Sequence, residues 1–255
     1  NYATGFRAPN AAQLNGFIDP TPGVNARLLP NPDLKPETSR NLELGARARW
    51  EQSYVDVAAF TGDYRQLIVD KKFLGGSNTV ADPNVFQTVN VDNATIWGFE
   101  IKGSVDWGMV GNGRLSMPYS YGVARGQDNS NGKPLNTIDP AMATLGLAYE
   151  ARGWTARADL RYHAPKDASD IDPTAGVRAG TTQFSSVPAV TTLDLSGQWR
   201  LRKDVRVTAG VVNLTNAKYW LWSDVQGLTT ANATSQADAY TQPGRHVNLS
   251  LVIDF

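Results

Sequence analysis

The sequence predicts an all-β protein: an antiparallel transmembrane β-barrel, of which this chain forms the carboxy-terminal portion, nine to ten strands of a larger barrel. Three observations carry that prediction. Apolar and polar residues alternate with a period of two in one segment after another, the apolar faces end in aromatic residues, and short connections alternate with long ones. A period of two puts successive side chains on opposite faces of a strand, so two faces of opposite character describe a strand held between two media.

In chain order, a strand end at 1–7 is followed by segment 36–50, where Leu42, Leu44, Ala46, Ala48 and Trp50 oppose Glu43, Arg47 and Arg49. In 53–68, Val55, Val57 and Ala59 face lipid and Asp56 faces inward, which leaves Phe60 and Tyr64 either inward or beyond the membrane. Segment 93–108 sets Trp97, Phe99, Ile101, Gly103, Val105 and Trp107 against Glu100, Lys102, Ser104 and Asp106. Segment 114–125 sets Leu115, Met117, Tyr119, Tyr121 and Val123 against Arg114, Ser116, Ser120 and Ala124. A further strand at 138–151 leads to 154–163, where Trp154, Ala156, Ala158, Leu160 and Tyr162 oppose Thr155, Arg157, Asp159, Arg161 and His163. Strands at 189–201 and 205–213 precede the closing one at 244–255. There Val247, Leu249, Leu251, Ile253 and Phe255 share one face, and His246, Asn248, Ser250, Val252 and Asp254 share the other.

An outer-membrane barrel combines an apolar exterior, a polar lumen and aromatic girdles at both interfaces. The Trp97–Trp107 pair fits its dimensions. Ten residues at about 3.3 Å each span about 33 Å. Tilted by about 40–45°, that projects to about 23–25 Å, the height of the apolar band.

Tight connections at Glu51-Gln52, Gly111-Asn112-Gly113, Arg152-Gly153 and Lys203-Asp204 alternate with long polar ones at about 8–34, 70–92, 126–137, 164–188 and 215–243. So many long loops are unusual in a soluble domain, whereas outer-membrane barrels join short periplasmic turns to long external loops. A closed single-chain bacterial barrel has an even number of strands, the last pairing with the first. Nine to ten strands opening on a strand end therefore read as part of a 22-stranded, plugged transporter, with the amino-terminal plug and earlier strands absent.

Composition excludes other classes. Lys plus Arg and Asp plus Glu both number 24, so no net field favours nucleic acid, and no basic stripe is interleaved with stacking aromatics. The absence of cysteine removes disulfide frameworks and thiolate metal sites. No apolar run reaches the roughly 18–20 residues of a helical span. No Ser/His/Asp set, metal cluster or phosphate loop points to an enzyme.

Specific stretches then narrow the reading. GFRAP, containing Phe6, Arg7, Ala8 and Pro9, is followed by NPDLKPETSRNLELG, which opens on Asn31, Pro32, Asp33 and Leu34. With NLTNAKYW (213–220) and QPGR (242–245), these resemble TonB-dependent outer-membrane receptors along the whole chain. Together with GKPLNTIDP (132–140), WSDVQGL (222–228) and YTQPGR (240–245), they are most similar to the haem/haemoglobin receptor branch; NPDLKPE alone is shared more widely and identifies no ligand.

The resemblance implies an integral protein of the Gram-negative outer membrane that takes up an iron source with energy from the TonB complex, acting through the plug. The transported ligand would be haem, free or from haem-carrying proteins, with no covalently bound cofactor. The other partners would be outer-membrane lipid and the barrel assembly machinery, which reads a terminal aromatic, here Phe255. A ferric-siderophore receptor is the alternative and a passive porin-like channel the second. A polysaccharide-binding surface β-protein is opposed by the aromatic spacing and the terminal Phe.

Most of these motifs read as structural. Pro32 and Pro36 bias Asn31 and Lys35 toward extended backbone, making NPDLKPE a rigid entry into a strand. Glu37, Arg40 and Glu43 are lumen charges with Arg7 as a partner on the preceding strand. Gln242-Pro243-Gly244 is a turn that sets the register of the last strand.

One departure bears on the ligand. The haem branch carries an iron-ligating His between its FRAP and NPDL-type boxes, yet residues 10–30 here contain no His, Tyr, Cys or Met. Haem iron needs one of those four as its axial ligand. His163 and His246, both on lumen positions toward the outer ends of their strands, are the candidate ligand contacts, with the principal ligand expected from the absent amino-terminal part.

Overall fold

A computed structural model of the chain describes residues 1–21, 23–172, 186–226, 228 and 237–254, the side chains of Val91 and Asp92 aside. Ten strands form one antiparallel meander in chain order: β1 (Tyr2–Arg7), β3 (Glu37–Trp50), β4 (Ser53–Gly75), β5 (Asn84–Val110), β6 (Gly113–Asp128), β8 (Met142–Ala151), β9 (Trp154–His163), β10 (Val190–Arg200), β11 (Val205–Val212) and β12 (His246–Ile253). Two short strands lie off this path: β2 (Ala26–Leu29) runs parallel to β5, and β7 (Lys133–Pro134) pairs with the end of β6. The sheet is open, β1 and β12 each having a neighbour on one side among the described residues.

The expected strands are all present, and the tight turns fall where the sequence places them. The difference lies at 70–92, expected as a loop. There β4 and β5 continue as one ladder, reaching 23 and 27 residues. At about 3.3 Å per residue β5 measures about 90 Å, far beyond the apolar band, so the hairpin stands out of the membrane. Irregularities hide it from a period-two reading. Gln66 (φ 57°) and Lys71 (φ 55°) take left-handed backbone, and the register shifts between Val69 and Lys72 and again between Phe73 and Gly75. Each shift moves later side chains to the other face. The connection expected at 8–34 likewise holds structure, with α1 (Ala11–Asn15) capped reciprocally by Asn10 and Gln13, and β2 laid along β5.

The outer face is apolar and uncovered. Leu44 is 79% exposed, Val247 73% and Leu249 76%, a continuous surface that water would not tolerate and lipid matches. Trp50, Trp107, Trp154 and Trp199 all lie at the tight-turn ends of their strands, Trp154 and Trp199 as direct cross-strand partners. Trp107 is the extra residue of a bulge between Asp106 and Gly108, whose φ of 79° suits glycine. Trp97 and Tyr162 lie toward the other end of the same face.

The inner face carries paired charges. Arg47 donates to Asp56 at 2.8 Å, Arg157 to Asp159 at 2.6 and 2.7 Å, and Arg161 lies 3.2 Å from Asp194; Arg114 pairs with Asp106. Phe60 also points inward, its ring above Gly98, the cross-strand partner, where a β-carbon would collide with it. Tyr64 lies on the same face over Gly62.

At the strand ends the family stretches act as clamps. Arg7 donates to both Glu37 carboxylate oxygens from one guanidinium edge, through Nε and Nη2, and Glu37 Oε1 also accepts from Ile68 N–H at 2.6 Å, so one carboxylate joins β1, β3 and β4. Asn213, 2% exposed with φ 50°, accepts from Ala217 N–H and donates to the carbonyls of Ala217 and Pro243, while its own N–H donates to Asp194. Asn216 accepts from Arg245 N–H at 2.9 Å. The stretch after β11 thereby sets the entry of β12.

The two faces predict different tolerances. Leu147→Arg and Leu249→Arg should each cost about 2–4 kcal/mol near the middle of the band, and Ser250→Arg on the inner face of the same strand much less. Refolding of the complete protein into lipid vesicles measures this, and equal costs on the two faces would sink the assignment of the outer face to lipid.

Candidate functional site in the lumen

The inner face is roofed at one end by the long connections. Residues 132–140, 164–172, 186–188, 219–226 and 228 converge there on Trp222, which is 2% exposed and packs with Ile171, Val187 and Val225, with Trp220 and Leu228 against them. The Trp222 indole N–H donates to Asn136 O at 2.6 Å. Asn136 pairs through its side chain with both backbone groups of Asp172, at 2.7 and 2.9 Å, and Lys133 Nζ donates to the Asp172 carboxylate. Lys166 Nζ donates to Ile138 O at 2.7 Å and lies 5.2 Å from the Trp222 ring centre. Burial pulls the Lys166 ammonium below the ordinary lysine range. The helix α2 (Trp222–Val225) carries the central Trp. GKPLNTIDP and WSDVQGL, far apart in the chain, thus form two sides of one small core; Gly227 lies outside the described residues.

Between this cap and the strand wall lies a cavity of about 940 Å³. Its roof is Val187, Pro188, Trp220, Leu221 and Trp222; its wall includes Glu43, Arg47, Asp56, Phe60, Lys102 and Ser120. One rung of the sheet crosses the wall through six strands: Gly45, Ala58, Glu100, Gly122, Met142 and His163 are successive cross-strand partners, and all six line the cavity. Gly122 faces open space, a β-carbon there meeting nothing nearer than Glu100 Cγ at 3.9 Å. The rung has a flat middle flanked by a carboxylate on one side and by Met142 and His163 on the other.

The two histidines separate. His163 is half-buried on the cavity wall, 6.0 Å from the Tyr219 ring, and its imidazole makes no hydrogen bond among the described residues. His246 is exposed outside the cavity, Nδ1 2.9 Å from Gly244 O, three strands from β9. Of the motif residues, Phe6 is 70% exposed, and Ala8 and Pro9 lead from β1 into α1. Asn31 donates to Thr88 O at 2.9 Å and accepts from Asp33 N–H at 3.2 Å, beside Pro32. Leu34 is buried, and Asn90 clamps both backbone groups of Lys35. These residues bind chain to chain, away from the cavity. Phe255 lies outside the described residues. Met142, Gly122 and Tyr219 went unremarked in sequence. The period of two puts Met142 on the inner face, but no single-chain pattern shows which residue of the next strand stands opposite.

The architecture is that of an outer-membrane β-barrel wall: lipid-facing leucines, a charged inner face and a cap of long connections. Residues 1–214 match the family described as TonB dependent receptor-like, beta-barrel, and the chain belongs to that family, one of integral outer-membrane receptors rather than enzymes. It is 29% identical to hemoglobin and hemoglobin-haptoglobin-binding protein A of Haemophilus influenzae, over 100% of this chain and 25% of that protein. Against transferrin-binding protein A of Neisseria meningitidis serogroup B the identity is 26%, over 99% of this chain and 30% of that one. Among solved structures, copper transporter OprC superposes with a TM-score of 0.75 at 22% identity, covering 100% of this chain and 37% of that one. The ferric enterobactin receptor PfeA of Pseudomonas aeruginosa gives 0.71 at 22%, with the same coverage. At that identity these structures share the fold. The chain spans about a quarter of the length of the first of these relatives.

Trp222→Ala should loosen the cap by about 3–5 kcal/mol. Protease cleavage within 132–140 and 219–226 should rise sharply while the barrel keeps its resistance to heat in detergent. Because Lys166 has its lower pKa in the folded cap, protection of the wild-type cap should rise as the pH climbs from neutrality toward the lysine range. Unchanged cleavage of Trp222→Ala would show that Trp222 does not hold the cap.

Proposed function

We propose that this chain is the carboxy-terminal barrel segment of a receptor for the energy-dependent uptake of an iron source, and that the source is haem, free or carried by haemoproteins. The coverage of the relatives, 25% to 35% of their length, and the open sheet support a longer protein with a plug and earlier strands. The observation that carries the ligand reading is the capped lumen cavity, its aromatic roof over a wall that presents an uncommitted imidazole. The haemoglobin-binding names of the relatives support it further. In the intact receptor the cap would receive the ligand, the plug would close the lumen, and the TonB complex would pull on the plug to release the ligand inward. A ferric-siderophore ligand is the second reading, favoured by the stretch 10–30 that lacks every haem-ligating side chain.

Growth of an iron-starved host with the complete receptor as its one uptake route tests this. Growth on haemoglobin that disappears when the TonB complex is deleted is the expected result. Growth on a ferric siderophore alone would select the second reading, and uptake that persists without the complex would mean a passive channel. Deleting Phe255 should lower the surface level of the receptor, because assembly of the family it resembles depends on a terminal aromatic; unchanged surface levels would remove that role.

A further inference from the structure

Resting on the haem reading above, we propose that His163 is an axial ligand for iron-porphyrin bound in the lumen cavity, with the flat middle of the rung at Gly122 as the surface against which the ring edge rests and Met142 packed beside the ligand. Sequence alone assigns His163 a minor part and looks outside the chain for the principal ligand. The geometry points elsewhere.

Four observations converge. His163 and Met142 are direct cross-strand partners on the cavity wall, so the two side chains most suited to iron stand within about 5 Å at their β-carbons. The imidazole is not engaged by any hydrogen bond among the described residues, and an imidazole must offer a free nitrogen to coordinate. The cavity, about 940 Å³, lies at the upper end of the roughly 300–1,000 Å³ usual for small-molecule sites and is roofed by Trp220 and Leu221, which suit a broad apolar ring, while Trp222 holds that roof from within the cap core. Lys102 lines the same wall as the cross-strand partner of Asp56, with no ion pair within 4.0 Å among the described residues while Arg47 holds that carboxylate. It stands three strands from His163, about 14 Å across the sheet, where it can meet a ring carboxylate.

The donor count selects the class of ligand. A bare copper or zinc ion takes three or four protein donors, and no group of three His, Cys, Asp or Glu able to hold a metal exists among the described residues. A porphyrin supplies four equatorial nitrogens itself and asks the protein for one axial side chain. Met142 and His163 rise from the same wall and cannot reach opposite faces of one ring, so one of them coordinates. Neutral imidazole nitrogen is the stronger candidate, and the thioether is its soft neighbour.

Haemin titration of the intact receptor in detergent, followed in the Soret band, tests the assignment. His163→Ala should shift the Soret maximum and weaken binding by about tenfold or more, and free imidazole should restore part of the wild-type spectrum. Gly122→Leu, which leaves His163 in place but fills the flat middle of the rung, should weaken binding without that recovery. The heat-modified gel shift of each variant confirms folding. An unchanged spectrum and affinity in His163→Ala, with the wild type still binding haemin, would overturn the ligand assignment and leave the haem receptor intact. Failure of the wild type to bind haemin alongside uptake of a ferric siderophore would overturn both. Tight Cu(I) binding lost in Met142→Leu, with haemin binding insensitive to His163→Ala, would replace the porphyrin with a bare soft metal.

Discussion

The sheet separates lipid from water, and the rest of the molecule depends on that boundary. Inside a bilayer no solvent can satisfy a backbone N–H or C=O, so each strand must find its partners in its neighbours. Once that ladder exists, the pleat sorts side chains without further choice. Leu44, Leu147 and Leu249 go to lipid, while Arg47, Asp56, Arg157 and Asp159 go to the lumen. The lumen charges then pair locally, carboxylate by carboxylate. Each pair contributes little energy in a wet channel, but together they leave the wall tiled with fixed, neutralised side chains rather than a field of free charge. The cavity is set in that tiled wall, and among the described residues the positions that set it apart are Gly122, Met142 and His163, with Glu43, Glu100 and Lys102 as charged side chains that make no ion pair.

The legible part of the fold is the part the two media dictate. Alternation places β3, β9 and β12 to within two residues, because a slip of one residue would put Arg47 or Asp159 into lipid. Above the membrane that penalty vanishes, and so does the pattern. The hairpin beyond the membrane, from Gln66 to Val91, has no lipid on either face and is free to carry Gln66 and Lys71 in left-handed backbone, and a period-two reading breaks there. The loop cores were hidden for another reason. Trp222, Asn136 and Asp172 come from three connections, and their meeting is a product of tertiary packing that no local pattern encodes.

The candidate site shows the same division. Sequence identifies His163 and its face but not its surroundings, since the rung through Gly45, Ala58, Glu100, Gly122, Met142 and His163 is a matter of register between strands. Of the family stretches, NPDLKPE and NLTNAKYW act as joinery: Asn31, Glu37 and Asn213 spend their hydrogen bonds on other parts of the chain. A motif can thus mark a family through the way its loops are fastened while the ligand meets residues outside any motif.

The long β4–β5 hairpin carries a mechanical implication. Its ladder runs from the membrane to the tip near Gly75 and Asn84 with two shifts of register on the way, and the stretch from Trp97 outward measures about 40 Å at 3.3 Å per residue. The two strands that reach that far out are the ones that carry Phe60 and Glu100 into the cavity wall, so the hairpin and the cavity share one pair of backbones, and the shifted stretch between Val69 and Gly75 is where that pair bends.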